Sequence, residues 1–225
     1  MDDNAVERDD DSLMTWTLSE LEDHLLIGST LVEGSTLTEA EARDVLAGRT
    51  VSGHPVREAL ELLNYRAATA WLIEQVGVAP YVSVDLVAGF HLRLMSSISE
   101  QAGRFKAHGN FTIRTDGGRH EYLHPSKVDE AMRSWVTTLD ELDSGAPAKD
   151  AAALYARFQA IHPFDDGNGR VGRLFVSYFL HWKHARAFRF FASDKLEHLR
   201  AIEASDTGDL SPLERFFDAR ISPEP

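Results

Sequence analysis

The segment from Asn168 to His184 constrains the fold most strongly, because apolar side chains cover most of its circumference when it is drawn as a helix. A helix that is apolar all round is stable only when other elements surround it. The apolar side chains of this segment are Leu174, Phe175, Val176, Tyr178, Phe179, Leu180 and Trp182. The sequence therefore predicts a central buried helix over 168–184, with the rest of the chain packed around it.

Most of the remaining chain repeats apolar residues at helical spacing. Further helices are expected to begin near residues 18, 38, 55, 83, 126, 148, 194 and 211. Thr38, Ser83 and Ser126 are the expected N-terminal caps of three of them, because their short side chains accept hydrogen bonds from unpaired helical N–H groups. The helix after Pro55 is expected to bury one apolar face, formed by Val56, Ala59, Leu60, Leu63, Ala67, Ala70 and Trp71.

Residues 99–125 interrupt the helical period. Between Phe111 and Tyr122, two short β-prone runs flank the Gly117-Gly118 pair, and this order predicts a β-hairpin. The expected fold class is mainly α, a bundle of about eight helices with one short hairpin.

The chain is acidic, with a formal net charge of -13 over 225 residues. This charge argues against binding to nucleic acid or to anionic membranes, because both attract basic surfaces.

The absence of cysteine excludes disulfides, thiolate catalysis and cysteine-ligated zinc. No apolar run approaches the length of a membrane span, and the acidic residues 1–12 are expected to form a disordered tail, not a signal peptide. A cytoplasmic location is therefore expected.

The segment from His162 to Arg173, with the sequence HPFDDGNGRVGR, joins two of the predicted helices. Gly167, Asn168 and Gly169 stand where the buried helix begins. Glycines let the main chain approach a ligand closely, and a helix N-terminus presents unpaired N–H groups with partial positive charge. This arrangement predicts an anion-binding site suited to phosphates.

Four side chains of the same segment supply further parts of a phosphate site. Arg170 and Arg173 are three residues apart on the first helical turns, and we expect them to clamp successive phosphates. Asp166 is expected to hold a magnesium ion that bridges those phosphates. His162 is largely neutral at pH 7 and is a candidate general base. Each residue alone has an ordinary structural explanation, but their coincidence in one segment favours phosphoryl-type transfer.

At these residues the sequence resembles the Fic family, whose pattern His-x-Phe-x-(Asp/Glu)-Gly-Asn-Gly-Arg-x-x-Arg is met at every fixed position. The resemblance implies a Fic-type helical bundle and a protein adenylyltransferase that moves AMP from ATP to a Ser, Thr or Tyr hydroxyl of a target protein. It implies that His162 accepts the hydroxyl proton, that Asp166 holds Mg²⁺, and that Phe164 anchors the core. The implied phosphate contacts come from Gly167, Asn168, Gly169, Arg170 and Arg173.

A second family pattern, (Ser/Thr)-x-x-x-Glu-(Gly/Asn), is met by Ser29-Thr-Leu-Val-Glu33-Gly34. In such proteins the glutamate pairs with the last arginine of the first pattern, here Arg173. A carboxylate on that guanidinium competes with the γ-phosphate of ATP and misaligns the α-phosphate. The resemblance therefore implies an inhibitory helix over 18–34 that acts through Ser29 and Glu33. The alternative is that Glu33 is an ordinary surface glutamate.

The region 103–124 resembles the flap by which Fic proteins hold a target segment through strand pairing. Thr112, Ile113 and Arg114 are its expected contacts. Tyrosines that often flank the adenine near Leu196 are absent.

The resemblance divides the chain into N-terminal helices over 13–80 and a Fic core over 81–221. The expected partners are ATP and a target protein, while a homodimer is left open. Three other functions use the same residues: removal of AMP from a protein, transfer of another nucleotide such as UMP, and an ATP-sensing interaction module without catalysis.

Overall fold

The computed structural model describes residues 18–78 and 81–223, so the acidic tail expected over 1–12 lies outside the described residues. The helical segments are α1 (Leu18–Leu21), a π-helical turn (Glu22–Leu26), α2 (Ile27–Leu31), α3 (Glu39–Leu46), α4 (Val56–Val78), α5 (Val84–Leu94), α6 (Val128–Glu141), α7 (Pro147–Ile161), α8 (Asn168–His184), α9 (Lys195–Ser205) and α10 (Ser211–Asp218), with 3-10 turns at Pro125–Lys127 and Ala192–Asp194. The strands are β1 (Phe111–Ile113), β2 (Arg119–Glu121), β3 (Arg186–Phe188) and β4 (Ile221–Pro223). The mainly α fold class with a small hairpin is confirmed.

Helix α8 forms the centre of the structure, as its apolar circumference predicts. Every residue from Arg170 to Leu180 is buried, and α2, α5, α7 and β3 all contact this helix. Helix α1, the π-helical turn and α2 follow one another directly and together form the N-terminal helix, residues 18–31. Leu25 and Leu26 of this helix belong to the same hydrophobic core as Phe175 of α8. The N-terminal helix is therefore an integral part of the packing around α8. None of the described helices combines the length and apolar character that a membrane-spanning segment requires.

The N-terminal helix contains a wide π-helical turn over Glu22–Leu26, which the leucine spacing did not predict. Within this turn, the His24 carbonyl accepts a hydrogen bond from Phe190 N at 2.6 Å. One turn later, a Cβ atom on Gly28 would stand 2.0 Å from the Phe190 carbonyl oxygen. Glycine is the residue that permits so close an approach between a helix and another segment of main chain.

Two of the three expected helix caps are present. Thr38 and Glu41 form a reciprocal capping box at the start of α3, and the Ser83 side chain accepts a hydrogen bond from Leu86 N at the start of α5. The expected cap at Ser126 is wrong, because a 3-10 turn precedes α6 and the His124 side chain caps that turn by accepting from Ser126 N.

Helix α4 buries a different face from the one expected. Val56 is 84 % exposed and Leu63 is 41 % exposed. The buried apolar positions are Leu62, Tyr65, Ala68, Leu72 and Val76. Glu58 and Glu61 are also buried, and Glu58 accepts a hydrogen bond from Thr36 N at 2.7 Å. The expected face was wrong because polar contacts to other segments, in addition to apolar area, set the rotation of the first turns.

The hairpin forms where it was predicted, with Thr112 opposite His120 in an antiparallel register. A second antiparallel pair joins β3 to β4, with Ala187 opposite Ser222. Sequence patterns did not predict this pair, because each strand has only three residues and its partner is distant in the chain.

Candidate active site

A cavity of about 530 Å³ opens where the end of α7, the start of α8, the β1–β2 hairpin and α9 meet. His162, Gly169 and Arg173 line it from the motif, and Glu33 lines it from the end of the N-terminal helix. Elements from both halves of the chain therefore build one site.

His162 ends α7 in the left-handed conformation, with a φ of 47°. Histidine is among the few non-glycine residues enriched in this region. Its imidazole stacks on the Tyr122 ring, with centroids 3.7 Å apart and planes 4° apart. Burial, assisted by repulsion from Lys106, lowers the pKa of His162 to about 3. The imidazole is therefore unprotonated at pH 7, which is the form that a general base requires.

Asn168 is buried and closes the motif loop with its side chain. The side chain accepts a hydrogen bond from Phe164 N at 2.9 Å and donates one to Phe164 O at 2.8 Å. Gly167 precedes α8 with a φ of 78°, and a Cβ atom there would meet the Met95 sulfur at 3.2 Å. Asn168 and Gly167 thus shape the loop that brings Gly169 to the cavity.

A buried histidine outside the motif holds the same loop. His91 stacks on the Phe164 ring with centroids 3.7 Å apart, and its Nδ1 accepts a hydrogen bond from Gly103 N at 2.9 Å. The proton therefore sits on Nε2, which donates to the Asp166 carbonyl at 3.0 Å. Burial lowers the pKa of His91 to about 4, so this neutral tautomer persists at pH 7.

The first turn of α8 supplies the expected N–H groups. Its first intrahelical hydrogen bond runs from Val171 N to Gly167 O at 3.0 Å, so the N–H groups of the three preceding residues lack a helical acceptor. A Cβ atom on Gly169 would stand 2.3 Å from Glu33 Oε1 and 2.9 Å from an Arg173 nitrogen. The missing side chain lets a carboxylate lie directly against this positively polarised turn.

Arg173 is in direct contact with both residues of the predicted inhibitory helix. Its Nε donates to Ser29 Oγ at 2.8 Å, and one terminal nitrogen donates to Ser29 O at 3.1 Å and to Glu33 Oε1 at 2.5 Å. The guanidinium also lies 4.8 Å from the centre of the Phe190 ring. The Glu33 side chain keeps 29 % of its surface exposed, so the pair is accessible from the cavity.

Arg170 takes a different direction from Arg173. It is 1 % exposed, and its terminal nitrogens lie 3.7 Å from Glu61 and 3.6 Å from Asp166. In this conformation the charge of Arg170 acts on those two carboxylates, and Arg173 is the motif arginine that faces the cavity.

Asp166 has the properties of a ligand for a hard cation. Its side chain is 48 % exposed, one oxygen accepts from Gly167 N at 2.6 Å, and the other accepts from Arg57 at 3.0 Å. Mg²⁺ in nucleotide sites commonly uses one or two carboxylates together with substrate phosphates and water. No group of three acidic or histidine side chains suited to a metal occurs among the described residues. The residues therefore fit a Mg²⁺ that takes its other ligands from phosphate and water.

The hairpin forms another wall of the cavity, and Thr112, Ile113 and Arg114 all line it. Arg114 donates to Asp206 at 2.8 Å, and Thr115 N donates to Glu203 at 2.5 Å. These two contacts tie the hairpin tip to the C-terminal end of α9.

Two parts of the cavity wall were missed by the sequence analysis. Tyr122, at the end of the second hairpin run, stacks on His162. On α9, Leu199 and Ile202 line the cavity where family tyrosines are absent, whereas Leu196 is 52 % exposed. Helical spacing alone predicts the faces of α9, but not which face meets the cavity.

Comparison with known proteins identifies the family and the proteins that this chain resembles. Residues 81–180 match the model of the Fic/DOC family. The chain is 25 % identical over 191 residues to protein adenylyltransferase fic-1 of Caenorhabditis elegans, covering 82 % of this chain and 37 % of that protein. It is 24 % identical over 193 residues to protein adenylyltransferase Fic of Drosophila mojavensis, covering 83 % and 37 %. The chain thus spans little more than a third of the length of these relatives.

Solved structures show the same fold. A Fic domain containing signaling protein from Bacteroides thetaiotaomicron matches with a TM-score of 0.80 at 21 % identity, covering 90 % of this chain and 83 % of that one. Fic-1 from Caenorhabditis elegans matches with a TM-score of 0.74 at 24 % identity, covering 90 % and 60 %. The expected Fic-type helical fold is therefore confirmed, and residues 81–180 are the part of the chain that matches the Fic/DOC family.

Proposed function

We propose that the chain is a protein adenylyltransferase that transfers AMP from ATP to a Ser, Thr or Tyr hydroxyl of a target protein. The observation that carries the proposal is one cavity lined by both the unprotonated imidazole of His162 and the positively polarised turn at Gly169 with Arg173. The names of the relatives, protein adenylyltransferases, support the same reaction. A module that only senses ATP has no use for a base at this position.

In the proposed reaction, the target hydroxyl gives its proton to His162 while its oxygen bonds to the α-phosphorus of ATP. The bond from that phosphorus to the oxygen bridging to the β-phosphate breaks, and pyrophosphate leaves. The N–H groups at Gly169 and the Arg173 guanidinium stabilise the negative charge that develops on phosphate oxygens. Asp166 would hold a Mg²⁺, which would supply further charge neutralisation at the phosphates. His162 then returns its proton to water.

Glu33 is proposed to restrain this reaction. Its carboxylate occupies the Arg173 guanidinium at 2.5 Å and fills the space beside Gly169. Both are groups that a triphosphate needs, so nucleotide phosphate and Glu33 exclude one another from their best positions. ATP remains able to bind, but with its α-phosphate misaligned for attack.

The reaction is tested by incubating the protein with Mg²⁺ and a cell lysate, in parallel with ATP labelled at the α- or the γ-phosphate. AMP transfer is expected to leave protein-bound label from the α position alone. Label from the γ position would identify phosphorylation and overturn the proposal. Bound ATP with no label from either position would identify the sensing module instead.

The same assay separates the related enzymatic functions. α-Labelled UTP that labels protein better than α-labelled ATP would show transfer of UMP. If fresh protein removes AMP label from a labelled target faster than it adds label to an unlabelled one, the reverse reaction dominates. In that case Glu33 would position a water molecule for attack.

Substituting Gly169→Ala is expected to weaken ATP binding at least about tenfold, a cost of roughly 1.4 kcal/mol. The new Cβ would lie 2.3 Å from Glu33 Oε1 and 2.9 Å from Arg173, so it would occupy the space in which a phosphate meets both the helix N-terminus and the guanidinium. Calorimetric titration with ATP and Mg²⁺ measures the effect. Gly109→Ala is the matched control, because no atom lies within 4 Å of its added Cβ. Equal ATP affinity in Gly169→Ala and Gly109→Ala would remove Gly169 from the proposed site.

A further inference from the structure

We propose that Lys106, together with Asn110, is a positioning residue that fixes the main-chain conformation of His162 and makes its imidazole harder to protonate. The inference rests on the proposed role of His162 as the base, but it concerns two residues outside the motif. Both lie in the segment that leads from α5 into the hairpin.

The first observation is a group of hydrogen bonds from Lys106 to the main chain on both sides of His162, which we call the polar bracket. The buried Lys106 ammonium donates to Ile161 O at 3.1 Å and to Asn110 Oδ1 at 2.7 Å, and Lys106 N donates to Pro163 O at 2.9 Å. Carbonyl groups on both sides of His162 are thus held by one residue. A φ of 47° is a sparsely populated conformation that persists only when its surroundings fix it.

Asn110 completes the bracket. Its side chain donates to Phe164 O at 3.0 Å while it accepts from Lys106, and its carbonyl accepts from Tyr122 N at 3.2 Å. The same asparagine therefore connects Lys106, the motif loop and the tyrosine that stacks on His162. A change at Lys106 is transmitted to both the main chain and the ring of the base.

The second observation is the charge of Lys106 in a buried setting. The residue is 3 % exposed, and within the described part of the chain no carboxylate pairs directly with its ammonium. Burial, only partly offset by attraction to Asp165, lowers the pKa of Lys106 to about 8, so the group is still mainly a cation at pH 7. A second positive charge beside such a cation is unfavourable, so Lys106 adds to the effect of burial in lowering the pKa of His162.

Other groups also act on His162. Burial is the largest cause of its lowered pKa, followed by Lys106. The backbone of Gln159 and the charge of Asp166 favour a proton on the ring, whereas His120 repels one. The uncharged Tyr122 covers one face. Lys106 is therefore the main charge whose removal should make protonation of His162 easier.

The test replaces Lys106 with a neutral residue and follows the protonation of His162 directly. In Lys106→Gln, which keeps a hydrogen-bond donor, the midpoint of His162 titration is expected to rise by about one pH unit or more. NMR of protein labelled in its histidine rings measures the midpoint, with the His162 signal assigned from its loss in His162→Asn. Lys106→Arg, which retains the charge, is expected to keep the wild-type midpoint. Lys149→Gln is the matched control, because Lys149 is exposed at the other end of α7.

A His162 midpoint in Lys106→Gln equal to the wild-type value would overturn the proposal, and so would an equal rise in Lys149→Gln. Should Lys106→Gln fail to fold, Lys106→Met offers a neutral side chain of similar length for the same titration. In the transfer assay, the acid limb of the pH–rate profile is expected to move to higher pH in Lys106→Gln, because His162 is then protonated at higher pH. The titration tests the effect of Lys106 on His162 even if the wild-type protein transfers no AMP. A failure of this proposal is therefore distinguishable from a failure of the proposed AMP transfer.

Discussion

Glu33→Gly is expected to raise self-modification by α-labelled ATP by roughly 5- to 150-fold, the range that couplings of about 1–3 kcal/mol produce. The substitution removes the carboxylate that lies 2.5 Å from Arg173, while both contacts from Arg173 to Ser29 remain available to hold the guanidinium in place. The freed charge then faces the cavity and is available to the γ-phosphate. The initial rate of label incorporation at saturating ATP measures the effect.

The matched control for this increase is Glu141→Gly, which removes an exposed glutamate from the last turn of α6. It removes the same charge and should leave labelling unchanged. Calorimetric titration with ATP separates tighter binding from better alignment. An unchanged labelling rate in Glu33→Gly, with ATP still bound, would mean that the contact with Arg173 is structural and does not restrain the reaction.

In the Glu33→Gly background, loss of the His162 imidazole is expected to lower labelling about 10²- to 10⁴-fold, the usual contribution of a positioned general base. The cleaner substitution is His162→Asn. The residue adopts a φ of 47°, and asparagine tolerates this region far better than alanine. Asparagine also cannot accept the hydroxyl proton at neutral pH. His162→Ala should show a similar loss of labelling, together with a lower melting temperature.

His108→Asn serves as the control for this second prediction, because His108 is an exposed loop histidine. ATP affinity should be almost the same in all of these variants, since His162 is assigned to the incoming hydroxyl and not to the triphosphate. Labelling by His162→Asn at the rate of its parent would show that another group accepts the proton. Loss of ATP affinity in step with labelling would instead place His162 in the nucleotide site.

The elements of the fold were largely predictable because their signals are local. Capping by Thr38, the apolar circumference of 168–184 and the Gly117-Gly118 turn each depend on neighbouring residues only. The rotation of α4 was not predictable in the same way. Its first turn faces residues 35–37 and the motif loop, so the contacts that orient it come from residues distant in the chain.

The same limit applies to the candidate site. Spacing in the motif places Arg170 and Arg173 on adjacent parts of one helical turn, and the expectation was that both would meet phosphates. The structure directs Arg173 to the cavity and Arg170 to Asp166 and Glu61. Which arginine meets which partner depends on where α2 and α4 pack against α8, and no local pattern contains that information.

Residues outside the motif that hydrogen-bond to the main chain at the motif were the hardest to predict from the sequence. Lys106 and His91 have no pattern of their own, because a buried lysine or histidine is recognised only by the carbonyl groups it meets. Asn168 shows the converse case, since its motif position suggested a ligand contact while its side chain closes the loop on Phe164. Motif spacing identifies the candidate catalytic and binding residues. Only the three-dimensional structure shows which of them face the cavity and which hold the loop in place.

The anchorage of the N-terminal helix at Phe190 determines how the proposed restraint can be lifted. His24 and Gly28 fasten the middle of that helix to main chain, whereas Glu33 follows the end of α2 in a short turn that closes at Gly34. Separation of Glu33 from Arg173 therefore requires only that the few residues after α2 rearrange, and the helix itself can stay in place. Activating substitutions are therefore expected within residues 32–35, whereas a side chain at position 28 is expected to destabilise the fold, because its Cβ would meet the Phe190 carbonyl oxygen.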